Sequence, residues 1–459
     1  MSWVESIFVA ALPGARLLLL VLGGPVLVFG LVKLLVLPLS VWFEIRDAGR
    51  RRREDPTLHD KWPSVSIIVP AFNEATAIGN CVRSIQRTRY DRYEVILVDD
   101  GSTDNTAQLM AELAAGDPRI KVLTQGNAGK GAALNRGIRN STGEVLMFVG
   151  ADGILFRDTV DRMLQAFEDG RTGAVCGDDR AANLDRTQTR MLAFVSHAGT
   201  GMVRRALTML GCLPGGSGNI SAFPRKVVEE IGLFREDAVG AELDLTWRVH
   251  KAGYRVSFAP RALVCAESPA TIAALWWQRV RRARGLLQTL AVHKGGTGNL
   301  RRGRFGAHRL FNAMTMVVLP VVQIVVILDL VFLFALGHDP LGGNAWAVLG
   351  WLFIIVALVL AMSAPGMDRE WKDLRLVWAL PLLPLYSVFT SLAMAAALGQ
   401  ELRGKEARWT VPARKGTART GTARTGTVSV GVPQPRAEVR ARNAVWATGP
   451  TLPPPHRMS

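Results

Sequence analysis

Cysteine is scarce in this sequence. Only four cysteines occur among 459 residues, and none stands in a CxxC pair or a similar metal-binding spacing. Their small number argues against a disulfide framework, and their spacing argues against a zinc site. We therefore expect buried thiols in a domain that occupies a reducing compartment. The four are Cys81, Cys176, Cys212 and Cys265.

Acidic residues are too few to balance the basic ones. Asp and Glu number 38 against 55 Lys and Arg, which gives a formal net charge of +17 and a pI near 10.5. Such an excess attracts nucleic acid, anionic lipid or phosphate-rich substrates and does not choose among them. The hydrophobic share of 49% and the positive mean hydropathy of +0.19 indicate membrane segments.

The first long apolar run has no cleavage site after it. Residues 16–43 are long enough to cross a bilayer, so we interpret residues 1–45 as an N-terminal transmembrane anchor rather than a signal peptide. Residues 46–62 form a basic juxtamembrane linker that includes Arg50–Arg53. Because positive charge clusters on the cytoplasmic side, the domain that follows is predicted to be cytoplasmic.

Residues 63–304 alternate between strand and helix patterns. The apolar runs are short and β-branched, which is typical of buried parallel strands. Helical patterns at 75–86 and 106–115 lie between them. The alternation predicts an α/β domain with a mostly parallel sheet. The strand-like runs are Val65–Val69, Glu94–Val98 and Glu144–Val149.

Further apolar spans occupy residues 305–400. Asp329 falls within the first of them, where a charge is costly unless it faces protein or water or marks the edge of the span. Three spans that start inside would leave the C-terminus outside, whereas the basic tail 401–459 favours the inside. That tail is of low complexity and is predicted to be disordered, either binding anionic lipid or simply solvated. The spans are 310–337, 344–364 and 374–398.

Two motifs directly follow predicted strands. They are Pro70–Glu74 and Val98–Asp104, and they lie at the carboxyl edge of the sheet, where α/β domains bind ligands. A carboxylate there can accept hydrogen bonds from a base or a ribose. The same residues also suit a tight turn and a helix cap, so turn chemistry alone remains an alternative reading.

Two further motifs suit a diphosphate and its metal. Residues 127–135 form a glycine-rich segment that lacks the GxxxxGK[ST] spacing, which argues against a P-loop NTPase. Lys130 can still point at phosphate or remain a surface lysine. Residues 148–153 end another apolar run, and Asp152 is a hard oxygen ligand suited to Mg²⁺ or Mn²⁺.

The last two motifs are charged. Residues 240–248 contain Glu242 and Asp244 at the start of a helix, where one carboxylate can act as a general base or both can simply favour the helix dipole. Residues 276–285 carry a dense run of arginines that suits either a diphosphate or anionic headgroups.

Taken in order, these motifs resemble those of the family 2 inverting glycosyltransferases. The resemblance is closest to the membrane-embedded synthases of poly-N-acetylglucosamine, hyaluronan and cellulose, and it covers about residues 63–300. It implies a nucleotide-sugar-binding, GT-A-like α/β domain inserted between transmembrane helices, with the protein in the cell membrane as a multi-pass chain.

The resemblance also implies roles for individual residues. Glu242 matches the catalytic base, and Asp152 matches the last acid of the DxD motif, which binds Mg²⁺ or Mn²⁺. Asp100 would contact uracil with Asp99 behind it. The nucleotide-sugar-binding residues would be Ala71, Asn73, Glu74, Asp99, Asp100, Lys130, Asn135, Gln278 and Arg281. The acceptor-binding residues would be Gly218, Asn219, Trp277 and Arg282.

The sequence departs from the family pattern at three positions. Gly150 replaces the first acid of DxD, Glu242 replaces an Asp and follows Ala241, and Arg282 replaces the tryptophan of QxxRW. An arginine cannot stack on a sugar face as that aromatic does, although Trp277 or its neighbour could substitute.

The expected function is transfer of a sugar from a UDP-sugar, with inversion, to a growing β-linked polysaccharide. One alternative is transfer of a single sugar to a lipid-linked acceptor, and another is a non-catalytic membrane protein that keeps the fold. The implied partners are a nucleotide-sugar donor, a glycan or lipid-linked acceptor and membrane lipids, with no nucleic acid. The donor sugar and any export partner stay open.

Overall fold

The computed structural model describes most of the region between residues 36 and 404. The predicted anchor before residue 36, the predicted span 344–364 and the tail beyond residue 404 lie almost entirely outside the described residues. The described ranges, apart from isolated residues, are 36–51, 62–167, 170–183, 186–195, 201–215, 218–269, 271–294, 304–337 and 381–404.

The described chain alternates strands and helices from residue 65 to residue 292. The strands are β1 Val65–Ala71, β2 Tyr93–Asp99, β3 Ile120–Thr124, β4 Val145–Val149, β5 Ile154–Leu155, β6 Thr172–Ala181, β7 Ile220–Pro224 and β8 Arg255–Ala266. The helices are α1 Val36–Arg51, α2 Ile78–Gln86, α3 Thr106–Ala115, α4 Lys130–Arg139, α5 Thr159–Gln165, α6 Thr187–Val195, α7 Met202–Leu210, α8 Arg225–Ile231, α9 Ala241–Lys251, α10 Ile272–Val292, α11 Arg304–Ala313, α12 Leu319–Ala335 and α13 Leu383–Leu402. A π-helical turn, Met314–Val318, joins α11 to α12.

The eight strands form one mixed sheet in the order β3-β2-β1-β4-β7-β6-β8-β5. Strands β3, β2, β1 and β4 are parallel, as the βα alternation predicts. Strand β7 then runs antiparallel to both β4 and β6, and β5 runs antiparallel to β8. Strand β6 pairs in parallel with β8. The predicted mostly parallel sheet is therefore a mixed sheet, because β7 and β5 run antiparallel to their neighbours.

Alternate residues of the central strands point to opposite faces of the sheet, and each face has its own hydrophobic core. Ile67 packs with α2, α3 and α5 on one face, whereas Ile68 packs with α4, α8 and α9 on the other. All seven residues of β1 are buried, which is why its sequence reads as a continuous apolar run instead of an alternating one. Helix α4 approaches β1 so closely that a Cβ on Gly137 would lie 2.5 Å from the Cγ2 atom of Ile68.

Helix α1 is joined to the sheet domain by buried polar contacts. The Ser40 hydroxyl donates to the Met202 carbonyl (2.8 Å), and the buried guanidinium of Arg205 pairs with Glu44 (2.7 Å). Helix α1 continues to Arg51, so it crosses the boundary that the sequence suggested between anchor and linker. Its exposed apolar side chains are Val41, Trp42 and Ile45.

Two stretches of helix among the described residues are long and apolar enough to cross a membrane. They are Arg309–Ala335 and Leu383–Leu402, and they overlap the first and third predicted spans. Length and composition are the whole of this evidence, and two such helices do not support the larger multi-pass arrangement expected from the sequence. Asp329 in the first of them is buried, so it faces protein.

Candidate active site

The first two predicted motifs meet at the carboxyl edge of β1 and β2. Asn73 holds a left-handed backbone (φ 54°) and its side-chain oxygen accepts a hydrogen bond from the Thr103 backbone N–H at 2.8 Å. The Asn73 N–H in turn donates to the Ser102 hydroxyl (2.9 Å). The motifs therefore form one rigid turn pair. Ala71 and Glu74 are buried in the same turn.

Asp100 is fully buried and organises the glycine-rich segment. Its Oδ1 accepts from the Gln125 amide (2.7 Å) and the Ala128 N–H (3.0 Å), and its Oδ2 accepts from the Gly129 N–H (2.9 Å). This carboxylate shapes the loop that leads into α4 in the state described. Its expected contact with uracil stays a prediction. Asp99 is buried and accepts from the Ser102 N–H.

Helix α4 starts immediately after Gly129, whose φ of 92° suits glycine, and it carries two of the predicted donor residues. The buried Asn135 side chain bonds both the N–H (2.9 Å) and the carbonyl (2.9 Å) of Phe234 and also reaches Glu236. It therefore fixes the loop before α9. Lys130, the first residue of the helix, extends instead towards the predicted base.

Lys130 and Glu242 form an ion pair. The Lys130 Nζ lies 2.6 Å from the Glu242 Oε1 and donates also to the Gly218 carbonyl at 3.1 Å. The pair is only partly exposed, with side-chain exposures of 33% and 22%. A Cβ on Gly218 would lie 3.3 Å from the Glu242 Oε2. Three segments that are far apart in the sequence thus converge on one carboxylate.

The position of Glu242 depends on a close approach between α9 and α10. A Cβ on Gly285 of α10 would lie 3.1 Å from the backbone of Gly240, the residue that precedes α9. Because neither glycine has a side chain, the first turn of α9 can press directly on α10. This contact sets the distance between Glu242 and the arginine-rich helix.

Asp152 lies in a small polar group after β4. The point where a Cβ on Gly150 would stand is 3.0 Å from both the Asp152 Oδ1 and the Asn219 Oδ1. The Asn219 amide donates to Asp179 at 2.9 Å. Burial raises the pKa of Asp179 to about 6, opposed by the bond from Asn219 and reinforced by the negative charge of Asp152.

Asp179 was not predicted from the sequence. It belongs to β6, which the sequence reading did not identify, and the only available signal was a pair of acids in an apolar run. Its neighbour Asp178 is instead paired with Arg180 at 2.5 Å.

Helix α10 presents different residues to different neighbours. Gln278, Arg282 and Gly285 recur at helical spacing and share the face that touches Gly240. Trp277 is five residues from Arg282, about 140° away around the helix, and is 61% exposed. Trp277 therefore points away from Arg282, the position at which the family has a tryptophan. It is not placed to substitute for that tryptophan. Arg281 lies between these two faces.

A buried network of hydrogen bonds and ion pairs holds α9 in place. The Asp244 carboxylate contacts His293 Nε2 at 2.8 Å and accepts from Arg248 at 2.9 Å. Burial opposes ionisation of Asp244, yet the His293 bond and the Arg248 charge hold its pKa below the usual range. Arg309 of α11 donates to the His293 carbonyl, so the network reaches the first candidate span. No local pattern in the sequence indicates a role for His293.

The comparisons with known proteins agree with this geometry. The family model described as glycosyl transferase family 2 matches residues 66–232. This stretch is similar to the domain of that family. The matched region contains strands β1 to β7, and Glu242 and the whole of α10 lie beyond it.

Curated relatives extend the glycosyltransferase match. The poly-beta-1,6-N-acetyl-D-glucosamine synthase of Staphylococcus aureus strain COL is 30% identical over 227 residues, which cover 49% of this chain and 55% of the relative. The Staphylococcus epidermidis synthase is 29% identical over 232 residues, or 50% of this chain and 55% of that protein. The chain therefore spans about half the length of the curated relatives it matches.

A solved structure shares the fold of this chain. A mannosyltransferase from Pyrobaculum calidifontis, in complex with GDP-Man and Mn²⁺, superposes with a TM-score of 0.59 at 22% identity. The match covers 85% of this chain and 100% of the mannosyltransferase. Such a likeness supports the GT-A-like architecture of the domain.

Proposed function

We propose that this protein is a membrane-bound inverting glycosyltransferase that transfers a sugar from a nucleoside diphosphate sugar, most simply a UDP-sugar, to a growing β-linked polysaccharide. The observation that supports this proposal is the convergence of Lys130 and Gly218 on Glu242. The next residue, Asn219, shares with Asp152 the space beside Gly150. The curated relatives, named as poly-beta-1,6-N-acetyl-D-glucosamine synthases, favour a polysaccharide product.

Glu242 is the general base of the proposed reaction. An acceptor hydroxyl gives its proton to a Glu242 oxygen, and the hydroxyl oxygen forms a bond to the anomeric carbon. The bond between that carbon and the diphosphate breaks, and the nucleoside diphosphate leaves with the electron pair. Because attack and departure occur on opposite faces, the anomeric centre is inverted.

A divalent cation fits the residues around Asp152. The carboxylate is buried and offers hard oxygen atoms of the kind Mg²⁺ and Mn²⁺ prefer. Within the described part of the chain no group of three or more acidic, His or Cys side chains is placed to hold a metal, so diphosphate and water would supply the remaining ligands. When bound, the cation neutralises charge on the leaving diphosphate.

A second candidate is transfer of one sugar to a lipid-linked acceptor. Arg282 favours it, because an arginine on the face of α10 that meets α9 cannot stack on the sugars of a polymer as an aromatic side chain does. Trp277 points elsewhere, as described above. The length of the product separates the two candidates.

The test is incubation of the membrane-bound protein with a panel of UDP- and GDP-sugars and Mg²⁺ or Mn²⁺. We expect nucleotide release with one donor, dependence on the cation, and a polymer with inverted anomeric linkages. A single glycolipid would instead support the second candidate. Nucleotide binding without release from any donor, in native membranes that still contain acceptor, would indicate a non-catalytic protein.

A further inference from the structure

Lys130 occupies the side of Glu242 that a base must keep free. Its ammonium sits 2.6 Å from the Glu242 Oε1, so it competes with an acceptor hydroxyl for that oxygen. The second carboxylate oxygen faces Gly218, where there is space only because that residue lacks a side chain. The ion pair therefore covers one of the two oxygen atoms of the proposed base.

The chemistry of Lys130 allows its ion pair with Glu242 to be broken easily. A lysine carries three rotatable N–H donors on a flexible four-carbon stem, and two of them are accounted for by Glu242 and the Gly218 carbonyl. The pair is partly solvated, and such pairs contribute little to stability. A diphosphate carries more negative charge than one carboxylate and offers more acceptor oxygens, so it competes well for the ammonium.

Lys130 lies where we expect the diphosphate of the donor to bind. It is the first residue of α4, directly after the glycine-rich segment that Asp100 holds in place. The N-terminus of a helix favours anions, and a lysine there adds to that field. A donor diphosphate bound at this helix N-terminus would therefore lie close to the Lys130 ammonium.

We propose that Lys130 is a donor-operated latch on the catalytic base. Its ammonium neutralises Glu242 and covers Oε1, and a donor diphosphate draws the ammonium away and frees that oxygen for the acceptor hydroxyl. The donor then has to bind before the acceptor is activated. This inference rests on the proposed function, because it needs Glu242 as the base and a diphosphate in the site.

The experiment measures how readily Glu242 reacts. The purified full-length protein is treated with a water-soluble carbodiimide and an amine, with and without UDP or GDP plus Mg²⁺, and modification of each carboxylate is read by mass spectrometry. Nucleotide binding is measured separately by calorimetry. We expect the nucleotide that binds to raise the modification of Glu242 several-fold.

Matched controls lie within the same chain. Lys121 and Glu94 also form a lysine–carboxylate pair, at 3.0 Å, near the amino-terminal ends of β3 and β2. Modification of Glu94 should not respond to nucleotide. Lys130→Gln should make Glu242 reactive without nucleotide, whereas Lys130→Arg should restore the dependence of Glu242 modification on nucleotide. Lys121→Gln should leave the modification of Glu242, and its dependence on nucleotide, as in the wild type.

Two results overturn the latch in distinguishable ways. If nucleotide binds and modification of Glu242 stays the same or falls in the wild-type protein, the latch is wrong and the proposed function survives. If neither UDP nor GDP binds, the proposed function fails and the latch fails with it.

Discussion

Single residues at this site carry either chemistry or shape, and the two kinds are distinguishable by their contacts. The side chains of Asp100 and Asn135 form hydrogen bonds with backbone groups of neighbouring loops, as expected for residues that shape the pocket. Glu242 and Lys130 contact each other and are partly open to solvent. Substitutions at the first pair should therefore act on stability, and at the second pair on turnover.

Asp152→Asn should remove the cation-dependent part of nucleotide binding. The amide keeps the size of the side chain but loses the negative charge that attracts Mg²⁺ or Mn²⁺. Calorimetric titration with UDP or GDP, with the cation and with EDTA, measures the effect. Asp158→Asn, at a surface pair with Arg162, is the control and should bind as the wild type does. A cation effect of full size in Asp152→Asn would remove this residue from the proposed metal site.

At the scale of elements, the contact of α9 with α10 determines where the base lies. Gly285→Ala places a methyl group 3.1 Å from the Gly240 backbone, so the helices must separate. We expect a loss of about 1–3 kcal/mol in the free energy of unfolding from overpacking. Turnover should fall by about 100-fold, since a shift near 1 Å at the reacting groups has that effect.

Gly399→Ala is the matched change for Gly285→Ala. Gly399 lies within α13, where an added Cβ meets nothing within 4 Å. Alanine is the better helix former, so we expect a gain of about 0.5–1 kcal/mol and normal turnover. Thermal unfolding in detergent and nucleotide release measure the two properties. Equal turnover in both variants would mean that the spacing of α9 and α10 does not position Glu242.

The pairing of β1, β2 and the turn before β4 depends on one carboxylate. Burial of Glu94 opposes its ionisation, but hydrogen bonds from Thr142, Ser66 and Lys121 outweigh burial and hold its pKa at about 2. A folded-state pKa below the unfolded value of about 4.5 stabilises the protein above that pH. This stabilisation is lost as the pH falls from about 4.5 to about 2.

Glu94→Gln should therefore lower the free energy of unfolding at pH 7 by about 1–3 kcal/mol. The difference from the wild type should shrink as the pH approaches 2. Denaturant unfolding at several pH values measures it. The matched change is Glu229→Gln, whose side chain is 61% exposed and should show no such dependence. A constant difference between Glu94→Gln and the wild type at all pH values would contradict the pKa argument.

At the scale of the whole molecule, the catalytic region is tied to the apolar helices. Arg284 of α10 pairs with Glu401 of α13 at 2.6 Å, and Arg309 reaches the carbonyl of His293. We expect the protein to stay in the membrane fraction after alkaline carbonate extraction and to need detergent for release. Complete release by carbonate would contradict the assignment of Arg309–Ala335 and Leu383–Leu402 as membrane spans.

The parts predictable from the sequence are those with local signals. The strands β1, β2 and β4 are short apolar runs, helix α2 has clear periodicity, and the motifs at 70–74, 98–104 and 148–153 follow those strands. The parallel pairing of these strands and the ligand-binding edge could therefore be predicted. Strands β6 and β7 could not, because their partners lie in distant segments of the chain: β6 pairs with β8, and β7 pairs with β4 and β6. Asp179 and His293 join the site only through tertiary contacts, which no spacing in the sequence reveals.

The central claim is that Glu242 is the base that drives transfer. The most direct measurement compares nucleotide release and nucleotide affinity for the wild type, Glu242→Gln and the surface control Glu229→Gln, with the donor identified in the panel. Loss of a general base should lower turnover by about 10²–10⁴-fold in Glu242→Gln, with nucleotide affinity retained and the control unchanged. Turnover of Glu242→Gln at the wild-type rate would contradict the account.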